Sequence, residues 1–174
     1  MLVLYHNGMS VTSQKVRLTL AEKGLEFEAH HLNLREGDQF DAAYRRLNPG
    51  AVVPTIVHDG TVVYESTVIM EYLDETFPEP ALKPADAAGR AAMRVWTKAM
   101  DEGVHAAAAN LAYATAYRGI MLQKSPQELD AHYARMPDLD RAARQRDVIE
   151  HGLGSPVIER GVKLYDRTMA DMDS

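Results

Sequence analysis

Between residues 55 and 64 the chain reads Thr55-Ile56-Val57-His58, then Asp59-Gly60, then Thr61-Val62-Val63-Tyr64. Two β-rich runs joined by Asp-Gly predict a hairpin with a two-residue turn. Upstream, Leu2-Val3-Leu4-Tyr5 reads as a short buried strand. Val16 and Leu20 follow at helical spacing, and Gly24 stands where a helix C-cap belongs. Residues 26–34 read as a second strand. A crossover helix between two strands implies that they pair in parallel. A short helix is expected over residues 39–47. A further helix, starting just after Ser66, shows one face through Val68, Ile69, Tyr72 and Leu73.

The order is therefore βαβ, then α, then ββα, which predicts a thioredoxin-like α/β domain with a mixed four-stranded sheet over residues 1–78. The texture changes near residue 80. Pro78, Pro80 and Pro84 interrupt regular structure, so residues 79–86 read as a linker. From there the pattern is helical: Ala87 to about Lys124, a helix opened by the capping box Ser125-Pro126-Gln127-Glu128, punctuation at Gly152 and Gly154, and a last helix from Pro156 to Met172. Residues 87–174 are expected to form a shortened all-α domain.

Charge and composition exclude several functions. The formal net charge is −6 over 174 residues, with both signs interspersed, and a nucleic-acid binder would usually be basic. Arg141, Arg144 and Arg146 are diluted by Asp138, Asp140 and Asp147 and read as a solvated helix face. The sequence contains no cysteine, so thiolate metal sites, disulfides and cysteine nucleophiles are excluded. His30 and His31 should point to opposite faces of a strand, and no metal site is expected. No apolar run reaches membrane-spanning length, and Met1 to Tyr5 does not read as a leader. A cytoplasmic protein with no membrane partner is expected.

Three segments carry candidate chemistry. Ser10, Thr12 and Ser13 cluster between the first strand and the first helix. They either cap the helix or present a hydroxyl that stabilises a ligand thiolate, with the positive helix end assisting. With no cysteine in the chain, that thiol must belong to a ligand. Val53-Pro54 precedes the hairpin. If that bond is cis, the Val53 N–H and C=O can point outward to pair with a peptide-like ligand. Glu65-Ser66 opens the next helix and reads either as an ordinary cap with an acidic neighbour or as a cradle for an amino-acid head group. In the cradle Glu65 meets the ammonium, and Ser66 with the free N–H groups meets the carboxylate.

Taken in order, the Ser-bearing turn, Lys15-Val16-Arg17, Asn48-Pro49, Val53-Pro54, the hairpin, Glu65-Ser66 and Ile69-Met70-Glu71-Tyr72-Leu73 resemble the glutathione transferase superfamily over essentially all of residues 1–80. Ser10-Val11-Thr12-Ser13-Gln14-Lys15-Val16-Arg17 is similar to the serine-type motif of its zeta, tau and phi branches. The run from Asp86 to Glu102, with Arg90 and Met93 to Lys98, resembles the bacterial branch that includes glutathione-dependent β-etherases. The resemblance implies glutathione as co-substrate, Ser10 as the donor to its sulfur, a cis-proline at Pro54 and γ-glutamyl contacts at Glu65 and Ser66, so that Val53, Pro54, Glu65 and Ser66 are the expected glutathione-binding residues. It also implies attack on a small apolar or aromatic electrophile, by conjugation or β-aryl ether cleavage.

The chain departs from the family in three ways. Val52 stands where many relatives carry Gln or Lys against the glycyl end of glutathione. Tyr5 and Ser13 compete with Ser10 for the sulfur. Thr168-Met169-Ala170-Asp171 has the letters of the box that opens the family's core helix, yet the sequence ends three residues later. Either the helical domain is short or the chain is part of a longer protein. Missing helices would expose Leu111, Tyr113, Ile120 and Leu122 and favour self-association, with a homodimer expected. The alternative function is a non-catalytic binding or assembly module. Tyr113 and Tyr117, four apart on a helix, either line an aromatic pocket or simply pack.

Overall fold

The computed structural model describes residues 1–172. It divides into two compact units, Met1–Met93 and the chain from Arg94 onward. In the first unit the order is β1 (Leu2–His6), α1 (Val11–Glu22), β2 (Glu28–His31), α2 (Ala42–Leu47), β3 (Thr55–His58), β4 (Thr61–Tyr64) and α3 (Ser66–Thr76). The sheet order is β2-β1-β3-β4. β1 runs parallel to β2 and antiparallel to β3, so the sheet is mixed, as the crossover helix requires.

Each element has a local cause. α1 buries Val16 and Leu20, one helical turn apart, and starts at Ser10, whose hydroxyl accepts from the Ser13 N–H. It stops where Gly24 takes φ 62°: the Gly24 N–H bonds Ala21 O and the Leu25 N–H bonds Leu20 O, a complete Schellman ending. The hairpin turn has Asp59 at φ 47° and Gly60 at φ 86°, the two positive values that a twisted two-residue hairpin demands. Leu2, Leu4, Val16, Leu20, Ile56, Ile69 and Leu73 form the core between sheet and helices. Each such side chain contributes about 1.5–3 kcal/mol on burial.

Three local expectations in this unit are corrected. β2 is only Glu28–His31, four exposed residues on a sheet edge, rather than 26–34. The helix expected over 39–47 is split: a 3₁₀ turn at Asp38–Phe40 ends at Asp41, whose side chain accepts from the Ala43 N–H and starts α2 afresh. Ser66 is the first residue of α3 and not its cap; Glu65 occupies the cap position and makes no side-chain cap bond.

Residues 77–86 contain neither helix nor strand. They are held by a pair invisible to pattern reading. Lys23 Nζ meets Asp74 Oδ1 at 2.6 Å with both side chains almost wholly buried, and donates to Phe77 O at 2.7 Å and Pro80 O at 2.8 Å. The Leu82 N–H donates to Asp74 at 2.9 Å.

After residue 86, α4 (Ala87–Ala99), α5 (His105–Ala112) and α6 (Arg118–Met121) follow one another through two wider π-type turns, Met100–Val104 and Tyr113–Tyr117. α7 (Pro126–Ala134) opens with the full Ser125–Glu128 capping box. α8 (Leu139–His151) and α9 (Pro156–Met172) complete the second unit, with a 3₁₀ turn at Gly152–Gly154 between them. Ala114, Val148 and Ile158 form its small core, with Tyr113 and Val157 against it.

Tyr113 is thus half-buried, not exposed. Its ring stacks on Tyr117 at 5.2 Å, and burial pushes its hydroxyl pKa up. Leu111, Ile120 and Leu122 are exposed. Arg141 and Arg144 are half-buried rather than solvated, and burial lowers the Arg141 pKa. Thr168 does not open a new helix: it lies inside α9, buried, with its hydroxyl on Leu164 O at 2.9 Å. No helix among the described residues is long and apolar enough to cross a membrane.

Candidate functional site

The sheet register brings the candidate segments together. Tyr5 pairs with Thr55, and Thr55 pairs with Tyr64. β1 leaves the sheet at that end, β3 enters there, and β4 leaves there. The Ser10 turn, the Val53–Pro54 entry and Glu65–Ser66 therefore converge beyond one sheet end, in a sheet where ligands gather outside strand ends.

The turn from Asn7 to Ser10 is tied from below. Asn7 donates to Leu32 O at 2.8 Å and accepts from the Met9 N–H at 2.9 Å. Arg17 donates to Asn7 O at 3.1 Å and to Gly8 O at 3.3 Å. It also meets His6 Nδ1 at 3.3 Å. A guanidinium can only donate, so His6 accepts there and is neutral. Burial first, then Arg17 and His31, lowers the His6 pKa and favours the same state.

At the mouth of α1 the three hydroxyls have different partners. Ser13 is fully buried and receives the Asn7 N–H at 3.5 Å. Ser10 is half-exposed. Its Oγ accepts from the Ser13 N–H at 3.2 Å and lies 2.9 Å from Thr12 Oγ1. Thr12 in turn donates to Val53 O at 3.0 Å. Tyr5 is packed by its ring, stacked on His30 at 4.9 Å and tilted against Tyr44 at 5.7 Å.

The Val53–Pro54 peptide is cis. The outward-facing pair expected at Val53 is half modified: its carbonyl is already engaged by Thr12, whereas its N–H has no protein partner among the described residues. Behind it, Val52 O accepts from Tyr44 Oη at 2.5 Å and from Asn48 Nδ2 at 3.0 Å. Asn48 also donates to Thr55 Oγ1 at 3.1 Å, and Tyr44 Oη lies 2.9 Å from the same oxygen. Burial, partly offset by the Thr55 and Asn48 hydrogen bonds, raises the Tyr44 pKa to about 12, so it stays a donor.

Glu65 has φ 69° and ψ 117°, a conformation that costs a side-chain-bearing residue about 1–3 kcal/mol. Its carboxylate is exposed with no partner among the described residues. Ser66 is buried next to it, its hydroxyl also without a protein partner, at the start of an 11-residue helix with unpaired N–H groups. An acid beside a hydroxyl and a positive helix end suits a zwitterionic head group. Lys15 Nζ reaches across to Thr67 at 3.1 Å and ties α1 to this helix.

Thr12, Tyr44 and Thr55 were not singled out as site supports by sequence reasoning. Their role depends on contacts across 41, 8 and 11 residues, respectively. The only local hint was the crowding of hydroxyls around Ser10.

Residues 9–76 match the family model described as glutathione S-transferase, N-terminal domain. The chain is 41% identical over 133 residues to Protein LigF of Sphingobium sp. strain SYK-6, covering 75% of this chain and 52% of LigF. It is 43% identical over 90 residues to Glutathione S-transferase Z1 of Arabidopsis thaliana, covering 52% of this chain and 41% of that protein. Among solved structures it is similar to β-etherase LigF of the same Sphingobium strain, with a TM-score of 0.87 and 34% identity over 98% of this chain and 71% of that one. The chain thus spans about half the length, or less, of these two curated relatives.

Proposed function

The chain belongs to the glutathione S-transferase family, and on that premise we propose that it binds glutathione at Val53, Pro54, Glu65 and Ser66 and uses Ser10 to hold the sulfur as a thiolate. The thiolate attacks a small apolar or aromatic electrophile. A carbon–sulfur bond forms as the bond to the leaving group, a halide or an aryloxide, breaks with its electron pair. The likeness to LigF, called a β-etherase, favours the aryloxide.

The observation that carries this reading is the shared sheet end, where a half-exposed hydroxyl at one helix start lies near an unpartnered acid and hydroxyl at another. A free thiol has a pKa near 8.5. A hydroxyl donor and a helix N-terminus each favour the anion by about 1 kcal/mol, enough together to move that value by roughly one unit or more. Serine does this without ionising. The ligand's ammonium meets Glu65, its α-carboxylate meets Ser66 and the α3 N–H groups, and its peptide C=O accepts from the Val53 N–H.

The same reading includes a cytoplasmic homodimer. Exposed Leu111, Ile120 and Leu122 in the helical half support self-association, and sedimentation of the purified chain tests the homodimer. Retention on immobilised glutathione, with elution by free glutathione, tests the clamp, and turnover of a chlorinated aromatic electrophile tests the chemistry. Retention without turnover means a binding module; absence of both overturns the proposal.

A further inference from the structure

The proton count at Ser10 carries a further step, which rests on the thiolate reading above. A threonine hydroxyl has one proton. The carbonyl of Val53 can only accept, so that proton lies on Val53 O at 3.0 Å. In the 2.9 Å contact between Ser10 and Thr12, Ser10 must therefore be the donor. Ser10 Oγ also receives the Ser13 N–H at 3.2 Å. Without a ligand the chain of donors runs one way, from Ser10 to Thr12 to Val53, and the proton needed by a sulfur is already committed.

For Ser10 to donate to a thiolate, its proton must leave Thr12. The short contact then keeps a proton only if Thr12 turns its own towards Ser10, which releases the Val53 carbonyl. An amide N–H of a peptide ligand can take that carbonyl. We propose that Thr12 is a positioning residue that couples occupancy of the Val53 carbonyl to the direction of the Ser10 hydroxyl. In the reversed arrangement the ligand N–H donates to Val53, Thr12 donates to Ser10, and Ser10 donates to sulfur. No covalent bond changes, and each protein hydroxyl keeps one acceptor. Donation from Thr12 also polarises the Ser10 hydroxyl and strengthens its bond to the anion. A ligand that supplies a peptide N–H but no thiolate leaves the Ser10 proton without a partner, so the site discriminates in favour of the free thiol.

The test uses wild type, Thr12→Val, Thr12→Ser and Ser10→Ala, each checked for an unchanged thermal transition. The ultraviolet absorbance of bound glutathione is titrated against pH to give its thiol pKa, and binding of S-methylglutathione is measured by calorimetry. The expected result is that Ser10→Ala and Thr12→Val both raise the bound thiol pKa, Thr12→Val by about half a unit, while Thr12→Ser restores it. S-methylglutathione binds Thr12→Val as tightly as wild type, or up to about threefold tighter.

A change with Ser10→Ala but none with Thr12→Val overturns the coupling and leaves the function standing. No change with Ser10→Ala overturns the underlying role of Ser10. Equal weakening of glutathione and S-methylglutathione in Thr12→Val, or failure of Thr12→Ser to rescue, makes Thr12 merely structural and overturns the coupling.

Discussion

Lys23 and Asp74 face each other at 2.6 Å with side-chain exposures of 0% and 5%. Lys23 sits at the end of α1 and Asp74 near the end of α3, so the pair joins two core helices and, through Phe77, Pro80 and Leu82, fixes the segment that follows. Asp74→Ala leaves the ammonium buried and uncompensated, and is expected to cost about 3–5 kcal/mol of stability. Burial opposes the Asp74 charge, but hydrogen bonds from Lys23 and the Leu82 N–H outweigh it and hold the pKa below the ordinary 3.8. The unfolded chain therefore takes up this proton first. The stabilising contribution is complete above pH 3.8 and is lost as pH falls through the folded value. Urea midpoints of wild type and Asp74→Ala across that range check both statements.

His6 acts in a higher window. Its folded pKa lies below the ordinary 6.5, so on acidification the unfolded chain binds a proton that the folded one refuses. Stability contributed by neutral His6 is full above pH 6.5 and declines as pH falls through the folded value. His6→Asn, which can still accept from Arg17, should flatten the stability profile below pH 6.5. Denaturation midpoints at several pH values are the readout.

Tyr44→Phe removes one of two donors to Val52 O and the acceptor that Thr55 uses. A buried hydroxyl network of this kind should lose about 1–2 kcal/mol, read from thermal unfolding. Because it steadies the segment leading into Val53, glutathione affinity should fall as well.

Glu65→Gly separates binding from folding. Glycine adopts φ 69° without the side-chain penalty, so the melting temperature should stay level or rise. Loss of the carboxylate should weaken glutathione at least about tenfold, since charge-assisted hydrogen bonds contribute about 1.5–3 kcal/mol. Calorimetry on the folded variant checks it.

What the sequence made legible was local or periodic. Asp59-Gly60 announced the hairpin because turn chemistry demands positive φ there, and Ser125-Pro126-Gln127-Glu128 announced α7 because a capping box is written within four residues. The sheet followed from strand order, since a crossover helix leaves few topologies. Contacts between distant residues were not legible. The Lys23–Asp74 pair, the Thr12 tether to Val53 and the Tyr44–Thr55 support depend on the folded register. Charge alone misread Arg141, because a helix wheel does not reveal what packs over it. Of the two π-type turns that interrupt the long helix after Ala87, Tyr113–Tyr117 holds no breaker residue to read and Met100–Val104 holds Gly103 alone, which a helix interior tolerates.

In the proposed reaction a neutral hydroxyl at the mouth of α1 keeps a borrowed sulfur anionic. Steady-state turnover of an aryl ether or chlorinated aromatic electrophile by Ser10→Ala, with glutathione varied up to saturation, tests it most directly. A kcat reduced roughly fivefold at neutral pH is expected, the loss of about 1 kcal/mol of thiolate stabilisation, with the KM for glutathione within about threefold, because the clamp at Val53, Glu65 and Ser66 is untouched. An unchanged kcat would reduce Ser10 to a helix cap and leave the sulfur without its proposed donor.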